Sequence, residues 1–214
     1  GLALDVKNRI LFACCREPDG ATELQALISS RKGLTIHGVR IAEAASVTAL
    51  IKQVRAAPID ILINNAGTCG PPPHRQSLSN MDFDGWAETF AVNTMAPLRM
   101  VQAFRENLKA GTNPRVVTIT SQMGALAWKT PGMYAYCSSK SAVNKVMQMA
   151  AIELAKDGIA VCLIHPGWVR TDGGGANADL SVAASAYGIM AVIEKTTVAT
   201  TGRFMKWDGE EHPW

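Results

Sequence analysis

The sequence predicts an α/β fold, a doubly wound parallel sheet with helices on both faces. Three observations carry this. Short, near-continuous apolar runs alternate with segments of helical periodicity. The runs are rich in Ile, Val and Leu, as strands buried on both faces are. At 214 residues the chain suits one domain with a sizeable core, and no linker or repeat divides residues 1–214.

Taken in order, Ile10 to Cys15 reads as a buried strand, Ala21 to Ser30 as a helix, and Leu34 to Ile41 as a weaker strand. A helix from Ala45 to Ala56 precedes a strand from Ile59 to Ile63. After a proline-rich loop at Gly70 to Pro73, a long helix is expected from about Phe83 to Ala110. Val116 to Thr120 is a strand, and Tyr134 to Ala155 a helix ended by Gly158. Ile159 to Ile164, Val182 to Ile193 and Gly202 to Trp207 read as strand, helix and short strand.

Composition narrows the class. The apolar fraction is 48%, the charged fraction 18% and the net charge +3, too small and scattered for a nucleic-acid or membrane surface. No apolar run approaches a membrane span, and no signal-peptide pattern opens the chain, although it does not begin with Met. The five cysteines form neither a C-x-x-C pair nor a zinc spacing, so no metal site is expected and a reducing cytoplasm is. Cys137 is the one to watch, being next to Tyr136.

In parallel sheets ligands bind beyond the carboxyl ends of the strands, so the residues there matter most. Asn65-Ala66-Gly67 leaves room for a flat ligand, although the same tripeptide is ordinary turn chemistry. Ser121 ends the next strand and can be a cap or a functional hydroxyl. Tyr136 and Lys140 share one helical face, where a cation lowers a phenol's pKa; the alternative is an amphipathic helix with a solvated lysine. Pro97 removes the helical bond to the carbonyl of Asn93, leaving either a free acceptor or a packing kink. Pro166-Gly167 makes a tight turn whose backbone donors can face a ligand; His165 before it reads as structural. The glycine-rich stretch Asp172 to Leu180 suggests an open or mobile pocket.

Together, Asn65-Ala66-Gly67, Ser121, Tyr136-x-x-x-Lys140, Pro166-Gly167 and Thr171 resemble the classical short-chain dehydrogenase/reductase family, a Rossmann-like fold, in order and spacing from about Arg9 onward. Tyr134 lacks a lysine at the required interval. Tyr134-Ala135-Tyr136, Pro166 to Thr171 and Trp207-Asp208-Gly209 are similar to the branch of C-factor-like proteins and small carbonyl reductases. The resemblance implies an oxidoreductase that interconverts a small-molecule carbonyl and an alcohol. It implies Tyr136 as acid/base, Ser121 as partner of the substrate oxygen, and Lys140 on the nicotinamide ribose, depressing the Tyr136 pKa. It also implies Asn93 as holder of a relay water. Asn65, Ala66 and Gly67 are then expected along the adenosine side, and Pro166, Gly167, Val169 and Thr171 at the carboxamide. Substrate is expected near Trp128 and Trp168. A homodimer or homotetramer through the helices starting near Phe83 and Tyr134 is implied as well.

Arg16 follows the strand in place of an acid, which favours NADP(H) over NAD(H); otherwise it is an exposed turn charge. Two departures stand out. The family's first strand and Gly-rich turn are missing: Gly1-Leu2-Ala3-Leu4 is at most the tail of that turn, and an N-terminally truncated or unusual chain is expected. Arg40 replaces the usual acid near adenine, where it can only stack or bind phosphate. A non-enzymatic binding or signalling homologue with an impaired nucleotide site is therefore the rival expectation.

Overall fold

A computed structural model describes residues 10–214. The Gly1–Leu4 stretch and Arg9, to which the reading above assigned a turn and the start of the family match, lie outside the described residues. The expected alternation of strand and helix is present. It runs β1 (Leu11–Cys15), α1 (Thr22–Ser30), β2 (Leu34–Gly38), α2 (Ala44–Val54) and β3 (Ile61–Asn64). A small antiparallel hairpin, β4 (Gln76–Ser77) and β5 (Asn80–Met81), leads into α3 (Phe83–Phe90), α4 (Ala96–Ala103) and α5 (Arg105–Lys109). Then come β6 (Arg115–Ile119), α6 (Tyr134–Leu154), β7 (Ala160–His165), α7 (Val182–Lys195) and β8 (Arg203–Lys206).

The main sheet is parallel, with order β3-β6-β7-β8, while β1 and β2 pair in a second parallel sheet. The single sheet expected from sequence is thus two sheets among the described residues, because no described strand pairs with both β1 and β3. The buried reading of β1 is corrected in the same way: Ile10 is 71% exposed, and Leu11 and Cys14 are exposed too.

Helices cover both faces of the main sheet. Alternate residues of a strand point to opposite sides. Val116, Val161 and Leu163 pack with Val101, Leu108, Val143 and Met147 from α4, α5 and α6. Val117, Cys162 and Ile164 pack with Val192 and Ile193 of α7 on the other side. β7 is buried along its whole length, which is why its sequence is apolar up to His165.

The long helix expected from Phe83 to Ala110 is broken twice. Ala91–Met95 is a π-helical stretch between α3 and α4, and Phe104 leaves helical geometry before α5. Pro97 has no amide to give the Asn93 carbonyl, so the chain widens there by an i+5 bond from Ala96 to Ala91. Phe104 is pulled into the cluster formed by Val39, Val47 and Leu50.

Candidate active site

β3, β6 and β7 end side by side because they are neighbours in one parallel sheet, and their trailing residues share one edge. Asn64, at the end of β3, donates through Nδ2 to Thr118 Oγ1 and to the Pro97 carbonyl, both at 3.4 Å. The loop Asn65–Gly67 leaves from this point. A methyl group on Gly67 would lie 3.3 Å from Asn93 Oδ1 and 3.6 Å from Lys140 Nζ. The glycine therefore leaves a shallow cradle over a lysine ammonium.

The Asn93 side chain closes the same loop. Its Oδ1 accepts from Thr68 N at 2.9 Å, and its Nδ2 donates to Thr68 O at 2.9 Å and to Ser139 Oγ at 3.0 Å. Thr94 Oγ1 adds a bond to the Ser139 carbonyl at 2.9 Å. The π-helical stretch is thus tied to the first turns of α6, the turns that carry Tyr136 and Lys140.

Ser121 follows β6 and accepts from Met123 N through its side chain, starting a tight turn at Gln122–Gly124. That turn lies against α6: a Cβ on Gly124 would meet the Lys140 backbone carbon at 2.8 Å. Tyr136 and Lys140 face Ser121 from α6. The Ser121 hydroxyl sits close enough to the Tyr136 phenol to favour its ionised form. Lys140 Nζ lies 5.9 Å from the Tyr136 ring centre and donates to the Ile119 carbonyl at 2.9 Å.

One sequence expectation is corrected here. Burial, more than any other influence, pushes the Tyr136 phenol above its ordinary value; Ser121 opposes this, and Cys69 and Cys137 add to it. Lys140, 5% exposed, is itself pushed down to about 8, by burial first. Removing both groups from water disfavours the charged form of each, so the expected depression of the phenol by the lysine is not found. Tyr136 is consequently a protonated donor at neutral pH.

After β7, the Pro166–Gly167 turn is held by Ser185 Oγ, which donates to the Pro166 carbonyl at 2.6 Å. Gly167 has φ +84°. Thr171 Oγ1 accepts from Gly174 N at 3.1 Å and donates to the Val169 carbonyl at 3.4 Å. The loop Asp172 to Leu180 is anchored to the residues before it. Val169 bridges Leu180, Arg170 N donates to Leu180 O at 2.9 Å, and Trp168 Nε1 donates to Gly174 O at 2.8 Å. Its glycines allow the turns that bring those partners together.

Arg16 follows β1, and Val39 N donates to the Cys15 carbonyl at 2.8 Å, which brings Arg40 to the same strand edge. Glu17 pairs with Arg40 at 3.9 Å. Cys137 is half-buried, its Sγ points to the Gly132 carbonyl, and burial raises its thiol pKa. A cavity of about 270 Å³ lies near the start of α6, lined by Met123, Trp128, Pro131, Tyr134 and Cys137. A larger one of about 500 Å³ adjoins it at Pro131, Gly132 and Tyr134. Neither is lined by Ser121 or Tyr136.

Two supporting residues escaped the sequence reading. Gln76 is fully buried; its Oε1 accepts from Tyr136 N at 3.2 Å and its Nε2 donates to the Cys69 and Pro71 carbonyls. Nothing in the sequence marks it. Asn144 accepts from Thr120 Oγ1 at 2.6 Å and donates to Gly124 O at 3.4 Å. It lies four residues after Lys140 on the same helical face, a position at which a buried polar residue could have been noticed.

The family profile described as short chain dehydrogenase matches residues 4–179. The chain belongs to the short-chain dehydrogenase family. It is 39% identical over 167 residues to C-signal of Myxococcus xanthus, covering 78% of this chain and 99% of that protein. It is 32% identical over 190 residues to 1-hydroxy-2-glutathionyl-2-methyl-3-butene dehydrogenase of Rhodococcus sp. (strain AD45), covering 85% and 81% of the two. Among solved structures, an NADPH-bound carbonyl reductase from chicken fatty liver superposes with a TM-score of 0.87 at 28% identity, over 96% of this chain and 88% of that one. A carbonyl reductase of Pseudomonas aeruginosa PAO1 in complex with NADP gives 0.81 at 31%, over 95% and 87%.

Proposed function

We propose that this short-chain dehydrogenase is an NADP(H)-dependent oxidoreductase that interconverts a small-molecule carbonyl and an alcohol. The convergence of Ser121, Tyr136 and Lys140, with Lys140 beneath Gly67, carries the reading. The cradle fits a nucleotide cofactor, since Gly67 leaves space directly over the Lys140 ammonium and beside Asn93. NADPH, when bound, supplies the hydride that goes to the carbonyl carbon.

The chain supplies the proton and the orientation. Ser121 hydrogen-bonds the substrate oxygen, and Tyr136, kept protonated by burial, gives its phenolic proton to that oxygen. Lys140 holds the nicotinamide ribose and passes a proton back to the phenolate. The Asn93 carbonyl holds the relay water, and the backbone of Pro166, Gly167, Val169 and Thr171 holds the carboxamide. Asn65, Ala66 and Gly67 line the adenosine side. Arg16, directly after β1, gives a cation suited to a 2′-phosphate, and the NADPH and NADP in the two carbonyl reductase structures support the same choice.

A second copy covers the exposed apolar side chains of α3 and α6, Phe83, Met149 and Ile152, in a homodimer or homotetramer. The rival reading, a signalling homologue, is favoured by one observation, the similarity to a protein named C-signal. A fluorescence titration with NADPH and NADH in parallel separates the two. Tight binding with NADPH preferred supports the enzyme; a folded chain that binds neither nucleotide overturns it.

A further inference from the structure

The segment after β8 turns back on the sheet. Gly209, at φ +95°, makes the turn, with Gly209 N donating to Lys206 O at 3.1 Å and Lys206 N to Glu210 O at 2.7 Å. Met205 bridges Glu211 in antiparallel sense, and His212 N donates to Phe204 O at 2.7 Å. This short hairpin runs Trp207, His212 and Trp214 back alongside β8, the outer strand of the main sheet.

Each aromatic has a defined seat. Trp207 N donates to the His165 carbonyl at 2.9 Å. Its indole covers Gly167, where a Cβ would come within 3.0 Å of Cδ1, and Gly188 of α7, where it would come within 2.6 Å of Cε3. His212 stands edge-on to His165 at 5.7 Å between ring centres and lies against Phe204 at 4.7 Å. The Trp214 ring is 5.5 Å from Phe204, and its carbonyl accepts from Ala127 N at 3.2 Å. Phe204 and Ala125 share one core cluster.

The segment therefore holds two loops at once. One is the Pro166–Gly167 turn. The other is the Ala125–Trp128 stretch, which continues the turn begun at Ser121 and contributes Trp128 to the smaller cavity.

We propose that Trp207–Trp214 is a positioning strap: Trp214 fixes the substrate-side loop and Trp207 the cofactor-side turn, so that together they set the width of the reaction cleft. In its kinetic form this rests on the oxidoreductase reading above; in its structural form it does not. The two tryptophans act through the loops they hold. They have opposite signatures, which a general stabilising role does not produce.

The test compares wild-type protein with Trp214→Ala, Trp214→Phe and Trp207→Ala, using NADPH and 4-nitrobenzaldehyde as probes. Loosening a substrate-side loop costs orientation, so Trp214→Ala is expected to raise the aldehyde KM about tenfold with NADPH Kd changed by less than about twofold. Trp214→Phe, which keeps a ring on Phe204, restores KM. Trp207→Ala weakens NADPH about tenfold and moves the aldehyde KM less. Amide hydrogen exchange at Ala127 and Trp128 is expected to accelerate in Trp214→Ala and not in Trp214→Phe. Unchanged KM and unchanged exchange in Trp214→Ala overturn the proposal, as does a parallel loss in KM, Kd and Tm. If the wild-type protein reduces no carbonyl, the oxidoreductase reading fails and the exchange measurement alone decides the strap. Should Trp214→Ala not fold, Trp214→Leu carries the same comparison.

Discussion

His165 shows how a residue at the site's edge can be chemically quiet and still govern stability. It is 7% exposed, and Gly167 N donates to its Nδ1 at 3.3 Å, a bond that needs the neutral ring. Burial lowers its pKa to about 4, helped by His212 and Lys206 and opposed by Asp208. An unfolded chain protonates this histidine below about 6.5, whereas the folded protein does not until about 4. The unfolded state thus binds more protons in that window, and stability falls as pH drops from about 6.5 to about 4. His165→Asn, which cannot take up that proton, is expected to flatten the pH dependence of unfolding by about 3 kcal/mol. Urea unfolding between those pH values measures it; an unchanged slope would mean that His165 is not the group responsible. The sequence reading already took this histidine as structural, because it sits between a strand end and Pro166. The pKa shift was beyond its reach, since the burial that causes most of it is settled by packing between elements.

At the scale of elements, the site depends on how closely the turn after Ser121 meets α6. Gly124 touches the Lys140 backbone, so Gly124→Ala forces turn and helix apart. Overpacking of this kind costs about 1–3 kcal/mol, and here it also moves Ser121 away from Tyr136. Denaturant unfolding together with kcat checks this: both should fall, and a variant with wild-type kcat would show that the contact does not position Ser121. The strands and α6 were legible in the sequence because apolar runs stop at small or polar residues and because Gly158 ends the helix. The segmentation of Phe83 to Ala110 was only half legible. Pro97 announces a disturbance at Asn93, but the break at Phe104 comes from its insertion among Val39, Val47 and Leu50, a tertiary event. The β4–β5 hairpin has two-residue strands and no alternation to read, which hid Gln76 as well.

Over the whole molecule, the alternation of strand and helix was enough to predict a parallel α/β fold with the site at the carboxyl ends of the strands. It was not enough to predict the division into β1-β2 and β3-β6-β7-β8, because strand pairing is settled by contacts between elements, not by the pattern within each. The candidate residues Ser121, Tyr136 and Lys140 were legible for a related reason: each sits just after a strand or one helical turn from another, positions that topology alone brings together. Their supports, Gln76, Asn144 and the side chain of Asn93, bind across elements and became visible only in three dimensions. The central claim is that this assembled edge lets Tyr136 deliver a proton to a substrate oxygen while hydride is transferred. Replacing Tyr136 by Phe removes one hydroxyl and keeps the ring. The account predicts unchanged NADPH affinity and a carbonyl-dependent NADPH oxidation rate lower by about 10²–10⁴-fold. A Tyr136→Phe protein that reduced carbonyls at the wild-type rate would contradict it.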